Sequence, residues 1–250
     1  VLNRGVPVLD QDHFSSYAMG RWLRSDRSGR PVRSAVTGET LGVLGGVPDT
    51  AAMRDYAKTQ GGPALRALNF HDRARMLKAL ALHLKEQRKA LYELSFLTGA
   101  TLADSQIDID GGIGTLLVYA SKGRREMPEG FVLPDGEVEV LSRDGSFLGQ
   151  HVLTPRQGIS LQINAFNFPV WGMLEKLAPS LLAGVPSLVK PASDTGYLAQ
   201  AVVRLIAESG ILPPGALQLI MGATGDLLDC LDAQDTVGFT GSAATAMTLR

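Results

Sequence analysis

Four short stretches in the second half of the chain combine polar residues and glycines that a purely structural segment does not need. They are "NAFNFP" (residues 164–169), "KPAS" (190–193), "MGATG" (221–225) and "FTGS" (239–242). Asn167 sets a carboxamide at the mouth of a strand, and Lys190 supplies a compact positive charge. Gly222 and Gly225 allow close backbone approach, and a helix opening after Ser242 presents free N–H groups suited to phosphate. Each stretch also has a plainer reading. Asn167 can be a helix N-cap before Pro169, Lys190 a solvated strand-end lysine, the glycines a tight turn and Ser242 a cap. What joins the four is their place in the chain, because each falls at the end of an expected strand.

From Gly158 onward strand and helix patterns alternate. Strand "ISLQINA" leads to helix "VWGMLEKLAPSLLAG", strand "PSLVK" to helix "TGYLAQAVVRLIAESG", strand "ALQLIM" to helix "GDLLDCLDA", and strand "TVGFT" to helix "SAATAMTLR". Short apolar strands separated by helices imply right-handed crossovers and a parallel sheet. In such sheets ligands sit outside the carboxyl ends of the strands, where the four stretches lie. The expectation is an α/β fold, a Rossmann-like doubly wound parallel sheet, with a nucleotide-like ligand in that crevice. The usual dinucleotide fingerprint is absent: "GGIGTL" (111–116) lacks the last glycine and follows no convincing strand, and there is no P-loop.

The first part of the chain has to support this sheet. "AMGRWLRS", a glycine turn around Ser28 and Gly29, and "TGETLGVL" read as an N-terminal hairpin followed by an extended segment. Asp49 and Thr50 stand where a helix cap belongs. A long helix is expected over 72–98, with Leu77, Leu80, Leu84, Leu91 and Leu94 on one face and Lys85, Arg88 and Lys89 on the other, ended by Thr98, Gly99 and Ala100. A further helix starts near Ala103. Residues 137–154 hold two strand-like runs around Asp144 and Gly145, which suit a tight, protruding β-hairpin. The chain divides accordingly into 1–136, a hairpin at 137–156, and the βα units at 157–250.

Composition narrows the function classes. The chain is 45% hydrophobic and 20% charged with a formal net charge of −1, so no charge imbalance points to nucleic acid or a membrane surface. No apolar run is long enough to span a bilayer, and a cytoplasmic location is expected. One cysteine, Cys230, excludes an internal disulfide, and four scattered histidines do not suggest a metal site.

From "ISLQINAFNFP" through "GFTGS" the sequence resembles the cofactor-binding domain of the aldehyde dehydrogenase superfamily, and "GRWLRS", "AVTGETLGVL" and the 137–154 region extend the likeness over nearly the whole chain. The resemblance implies a nicotinamide dinucleotide held by Ile163, Asn164, Ala165, Phe166, Lys190, Ala192, Ser193, Gly222, Gly225, Phe239, Thr240, Gly241, Ser242 and Thr245. It implies Asn167 as the catalytic donor to the oxyanion formed when a cysteine thiolate attacks an aldehyde. Within that strip Asn164 is read as structural, bridging neighbouring backbone groups. NAD-preferring members carry a glutamate three residues after the lysine, where this chain has Ser193, so the implied cofactor is NADP, with NAD the alternative. "DIDGGIGTLLVYAS" and "INAFNFPVWGMLEKLAPSLLAGVPSLVKPA" are similar to the branch that oxidises CoA-linked semialdehydes in aerobic aromatic-acid degradation. They favour the phenylacetate type over the benzoyl-CoA type. The 137–156 hairpin implies a homodimer or a multiple of one.

The chain also departs from the family. The attacking cysteine and the carboxylate base lie beyond "FTGS" in these enzymes, and Cys230, in the expected helix "GDLLDCLDA", reads as a small buried thiol. The 250 residues therefore read as the cofactor half, expected to be inactive alone. A non-catalytic nucleotide-binding module is the competing reading.

Overall fold

The computed structural model describes residues 14–24, 29–46, 48–223 and 225–249. Its centre is a six-stranded sheet built from β1 (Ser15–Ala18), β2 (Arg21–Arg24), β7 (Ser160–Ile163), β8 (Ser187–Lys190), β9 (Leu217–Leu219) and β10 (Thr236–Phe239). The order is β10-β7-β8-β9-β1-β2. The four strands after residue 158 are mutually parallel, and β1 joins β9 antiparallel. Leu188 and Val189 point into different apolar clusters, and so do Leu219 and Ile220, so both faces of the sheet are buried. Two-sided burial explains why these strands read as continuous apolar runs.

One face carries the helices α3 (Phe70–Ser95), α4 (Leu102–Arg125), α5 (Trp171–Leu182) and α6 (Gly196–Ser209). The other is covered by α1 (Thr50–Tyr56) and the connection around Leu227. A π-helical turn (Ala57–Gly61) joins α1 to α2 (Gly62–Arg66). Helix α3 buries Leu77, Leu80, Leu84, Leu91 and Leu94, as its periodicity implies. A 3-10 turn over Phe96–Thr98 and Gly99, whose φ of 86° suits only glycine well, end it. Thr101 and Asp104 form a capping box at the start of α4. Asp49 caps α1, accepting from Ala52 N.

Several expectations change. The first hairpin, β1–β2, turns at Met19 and Gly20, where both φ values are positive. The proposed turn at Ser28 and Gly29 is no hairpin apex for it: Ser28 lies outside the described residues, and Gly29 leads into a second hairpin of β3 (Arg30–Arg33) and β4 (Thr40–Leu44). Residues 225–233 form turns rather than a helix. Asp226 and Leu228 carbonyls accept from residues three on, and Asp232 bonds the Gln234 N–H, so local bonds replace a helical ladder. The long hairpin, β5 (Leu133–Val140) with β6 (Leu148–Leu153), begins earlier than expected and leaves nearly every residue exposed. Its turn is fixed by Asp144, which accepts from Ser142 Oγ and Ser146 Oγ, each at 2.7 Å.

Candidate active site at the carboxyl edge of the sheet

Register aligns the ends of the parallel strands. Ile163 pairs with Lys190 on one side and with Phe239 on the other. Asn164 N donates to Lys190 O at 3.1 Å, and Thr240 N to Ile163 O at 2.9 Å. The chain runs β7, β8, β9 in one direction and then crosses back to place β10 on the far side of β7. That reversal is the topological switch point, where doubly wound sheets open a crevice. "NAFNFP" and "FTGS" flank it, with "KPAS" beside the first.

The geometry tests the plainer readings one by one. Asn167 is exposed and caps nothing: the N-cap position of α5 is Val170, which has no side-chain cap of its own. The cap comes from α4, where Asp108 accepts from Trp171 N at 2.7 Å and from Val170 N at 3.1 and 3.2 Å. Burial pushes the Asp108 carboxyl up to about 6, against the pull of those N–H groups. Lys190 is not a solvated lysine. It is 7% exposed, among the described residues its ammonium bonds the Pro191 carbonyl alone, at 2.8 Å, and burial lowers its pKa.

Asn164 does not bridge backbone groups, because both its carboxamide atoms are buried without a partner. Ser193 is half-buried and does not cap α6, whose N-cap is Thr195. The Thr195 hydroxyl instead donates to Phe166 O at 2.8 Å, tying the two strand-end loops together. Phe166 itself is exposed, and Ala165 and Ala192 are half-buried. The plainer readings hold in two places. Gly222 takes a φ of 117° and a Cβ there would meet Gly45 O at 2.6 Å, a structural need for glycine. Ser242 caps the short α7 (Ala243–Thr248) by accepting from Thr245 N at 3.1 Å. Gly241 and Thr245 beside it are exposed, and so is Gly225.

Cys230 is half-buried in a turn, its Sγ 3.5 Å from Thr50 Oγ1, and is not the helical, buried thiol expected. A cavity of about 490 Å³, open to solvent, lies at the opposite end of the strands, lined by Ser160, Ser180 and Thr236. Among the described residues no cluster of His, Cys, Asp or Glu could hold a metal ion, and no helix is long and apolar enough to cross a membrane. Sequence reasoning missed Asp108 and Thr195, which fasten the Asn167 loop. The two glycines following Asp108 inside a helix were the available signal.

The polar strand ends thus lie along one edge of a doubly wound α/β sheet, beside its switch point. The aldehyde dehydrogenase family pattern matches residues 22–250, and the chain belongs to that family. A 3,4-dehydroadipyl-CoA semialdehyde dehydrogenase of Aromatoleum evansii is 42% identical over 95% of this chain and 46% of its own length. A succinate-semialdehyde dehydrogenase [NADP(+)] of Escherichia coli (strain K12) is 27% identical over 95% of this chain and 48% of its own. The chain thus spans about half the length of the curated relatives it matches. Among solved structures, the NADP-dependent glyceraldehyde-3-phosphate dehydrogenase from Bacillus halodurans complexed with NADP superposes with a TM-score of 0.81 at 21% identity, covering 96% of this chain and 50% of that one. An NADP-dependent enzyme of E. coli also gives 0.81, at 24% identity, covering 96% and 49%. These two likenesses bear on the fold.

Proposed function

We propose that the chain provides the cofactor site and the oxyanion donor of an enzyme that oxidises a CoA-linked semialdehyde to its acid with NADP, in aerobic degradation of an aromatic acid of the phenylacetate type. The observation that carries this is the pairing at the switch point: a buried Lys190 with no carboxylate partner among the described residues, and an exposed Asn167 that does not cap α5. The 42% identity to a CoA-semialdehyde dehydrogenase supports the substrate class.

The residues fit a nicotinamide dinucleotide. Lys190 is a desolvated cation facing a strand end, and the buried Asn164 carboxamide lacks partners that a ligand can supply. Lys190 and Ser193 would hold the adenosine ribose and its 2′-phosphate, and Thr240, Gly241, Ser242 and Thr245 would face the pyrophosphate. The bound cofactor supplies the hydride acceptor. Ser193 places no carboxylate against a 2′-phosphate, a repulsion of roughly 4 kcal/mol at close range before screening. Asn167 donates its N–H to the oxygen that gains negative charge when a thiolate attacks the aldehyde, worth about 3 kcal/mol of barrier. That thiolate is not Cys230, so the 250 residues by themselves turn over no aldehyde. The exposed apolar residues of β5–β6, including Val138, Val140, Leu148 and Val152, would be covered by pairing with a second copy.

The test is the ratio of kcat/KM for NADP to that for NAD in the whole protein, with a CoA-linked semialdehyde as substrate. A ratio above one that Ser193→Glu lowers by on the order of tenfold supports the reading. A wild type that prefers NAD, or an unmoved ratio, contradicts it.

A further inference from the structure

The motif "DIDGGIG" (108–114) lies inside α4 and takes no part in the reaction proposed above. Two adjacent glycines in a helix interior are unfavourable unless something needs the space. Here the start of α5 needs it. A Cβ on Gly111 would meet the Trp171 ring at 2.8 Å, and one on Gly112 would meet Trp171 Cα at 3.1 Å and Trp171 N at 3.3 Å. On the same helical face one turn earlier, Asp108 receives the N–H groups of Val170 and Trp171. The carboxylate is 4% exposed and answers two of the donors that a helix start leaves open, with a charge the helix dipole favours.

Asn167 lies between two anchors. Before it, Phe166 O accepts the Thr195 hydroxyl at 2.8 Å; after it, Asp108 holds Val170 and Trp171. The intervening stretch is short, stiffened by Pro169 and by Gly172 N donating to Phe168 O at 2.8 Å. We propose that Asp108 is a positioning residue for Asn167, fixing the first turn of α5 through the gap that Gly111 and Gly112 leave. The proposal rests on the reading of Asn167 as the oxyanion donor. Without the carboxylate both N–H groups lose their acceptor and the second anchor loosens. A donor that acts mainly in the transition state then loses rate, not cofactor binding.

A double-mutant cycle in the whole protein tests this. Asp108→Ala is expected to lower kcat at least tenfold with KM for the cofactor within twofold of wild type. Asp108→Asn, which keeps a carbonyl acceptor, should recover most of the loss. Adding Asp108→Ala to Asn167→Ala should cost nothing further. Hydrogen exchange read by mass spectrometry should speed up at residues 170–171 in Asp108→Ala and return in Asp108→Asn. If Asp108→Ala does not fold, Gly112→Ala displaces the Trp171 backbone while leaving the carboxylate, and should lower kcat only when Asn167 is present. Unchanged kcat in Asp108→Ala, or losses that multiply in the double variant, overturn the proposal while the role of Asn167 stands. Full kcat in Asn167→Ala removes that role and the proposal with it.

Discussion

The two ends of the parallel sheet are built on opposite terms. At the amino ends of β7 and β10, Asp235 has a fully buried side chain and every contact it needs. It accepts from Ile159 N at 2.8 Å, Asp232 N at 2.9 Å and Arg54 Nε at 3.2 Å, and lies 3.0 Å from Lys58 Nζ. Asp232 shares the same two cations. At the carboxyl ends, Lys190 Nζ bonds the Pro191 carbonyl, the Asn164 carboxamide has no partner among the described residues and Asn167 is exposed. Buried polar groups are normally paired. Around Asp235, at the amino ends of β7 and β10, that rule is obeyed and α1 is locked to the sheet, whereas Lys190 and the Asn164 carboxamide at the carboxyl ends depart from it, as does the buried Arg73 guanidinium beside Gly184 ahead of β8.

If this division is right, removing Asp235 should damage stability most. Asp235→Ala leaves Ile159 N and Asp232 N without that acceptor and Arg54 and Lys58 with Asp232 in its place, and is expected to cost about 4 kcal/mol, a fall of roughly 10 °C in melting temperature. A loss below 1 kcal/mol in urea unfolding would show that the network is ornamental.

Asn167→Ala should do the reverse, lowering kcat in the whole protein by about a hundredfold, near 3 kcal/mol, with the melting temperature unchanged because Asp108 already caps α5. A lower melting temperature with intact turnover would return Asn167 to a structural role.

Acid separates the two ends further. Burial opposes the Asp235 charge, but the N–H groups of Asp232 and Ile159 and the Lys58 ammonium hold its carboxyl below the usual range; hydrogen bonds from Lys58 and Gln234 bring Asp232 to about 2. Their stabilisation is present above pH ~4 and is lost as pH falls towards 2. Asp108 has the opposite sign. Its folded pKa is raised to about 6, so ionising it costs stability as pH rises from about 4 to about 6, by roughly 2 to 3 kcal/mol. Unfolding free energies at pH 4.5, 5.5 and 7 should show this decline in the wild type and its absence in Asp108→Asn. Parallel curves would contradict it.

The sheet was legible because its strands are buried on both faces and separated by strongly periodic helices. Leu161, Leu188, Val189 and Leu219 are all wholly buried, and such runs leave little choice of structure. The strand ends were legible as a site for the same reason: polar residues stand out against them. What the sequence hid is non-local. The α5 cap comes from Asp108, sixty-three residues before Trp171, and no spacing rule reaches that far. The 225–233 stretch carries helical apolar residues, yet Gly225 at a φ of 53° and the aspartates that bond nearby backbone keep it in turns. The first hairpin turns at Met19, a non-glycine residue at positive φ. Gln218 Oε1, 2.9 Å from Met19 N, helps hold it there across the sheet.

The most direct test of the contrast is calorimetric titration of NADP into the protein and into Lys190→Met. If the carboxyl edge is the cofactor site, the variant binds NADP at least tenfold more weakly, and its ligand-free melting temperature stays the same or rises because a desolvated cation is gone. Equal NADP affinity in the two proteins would contradict that assignment.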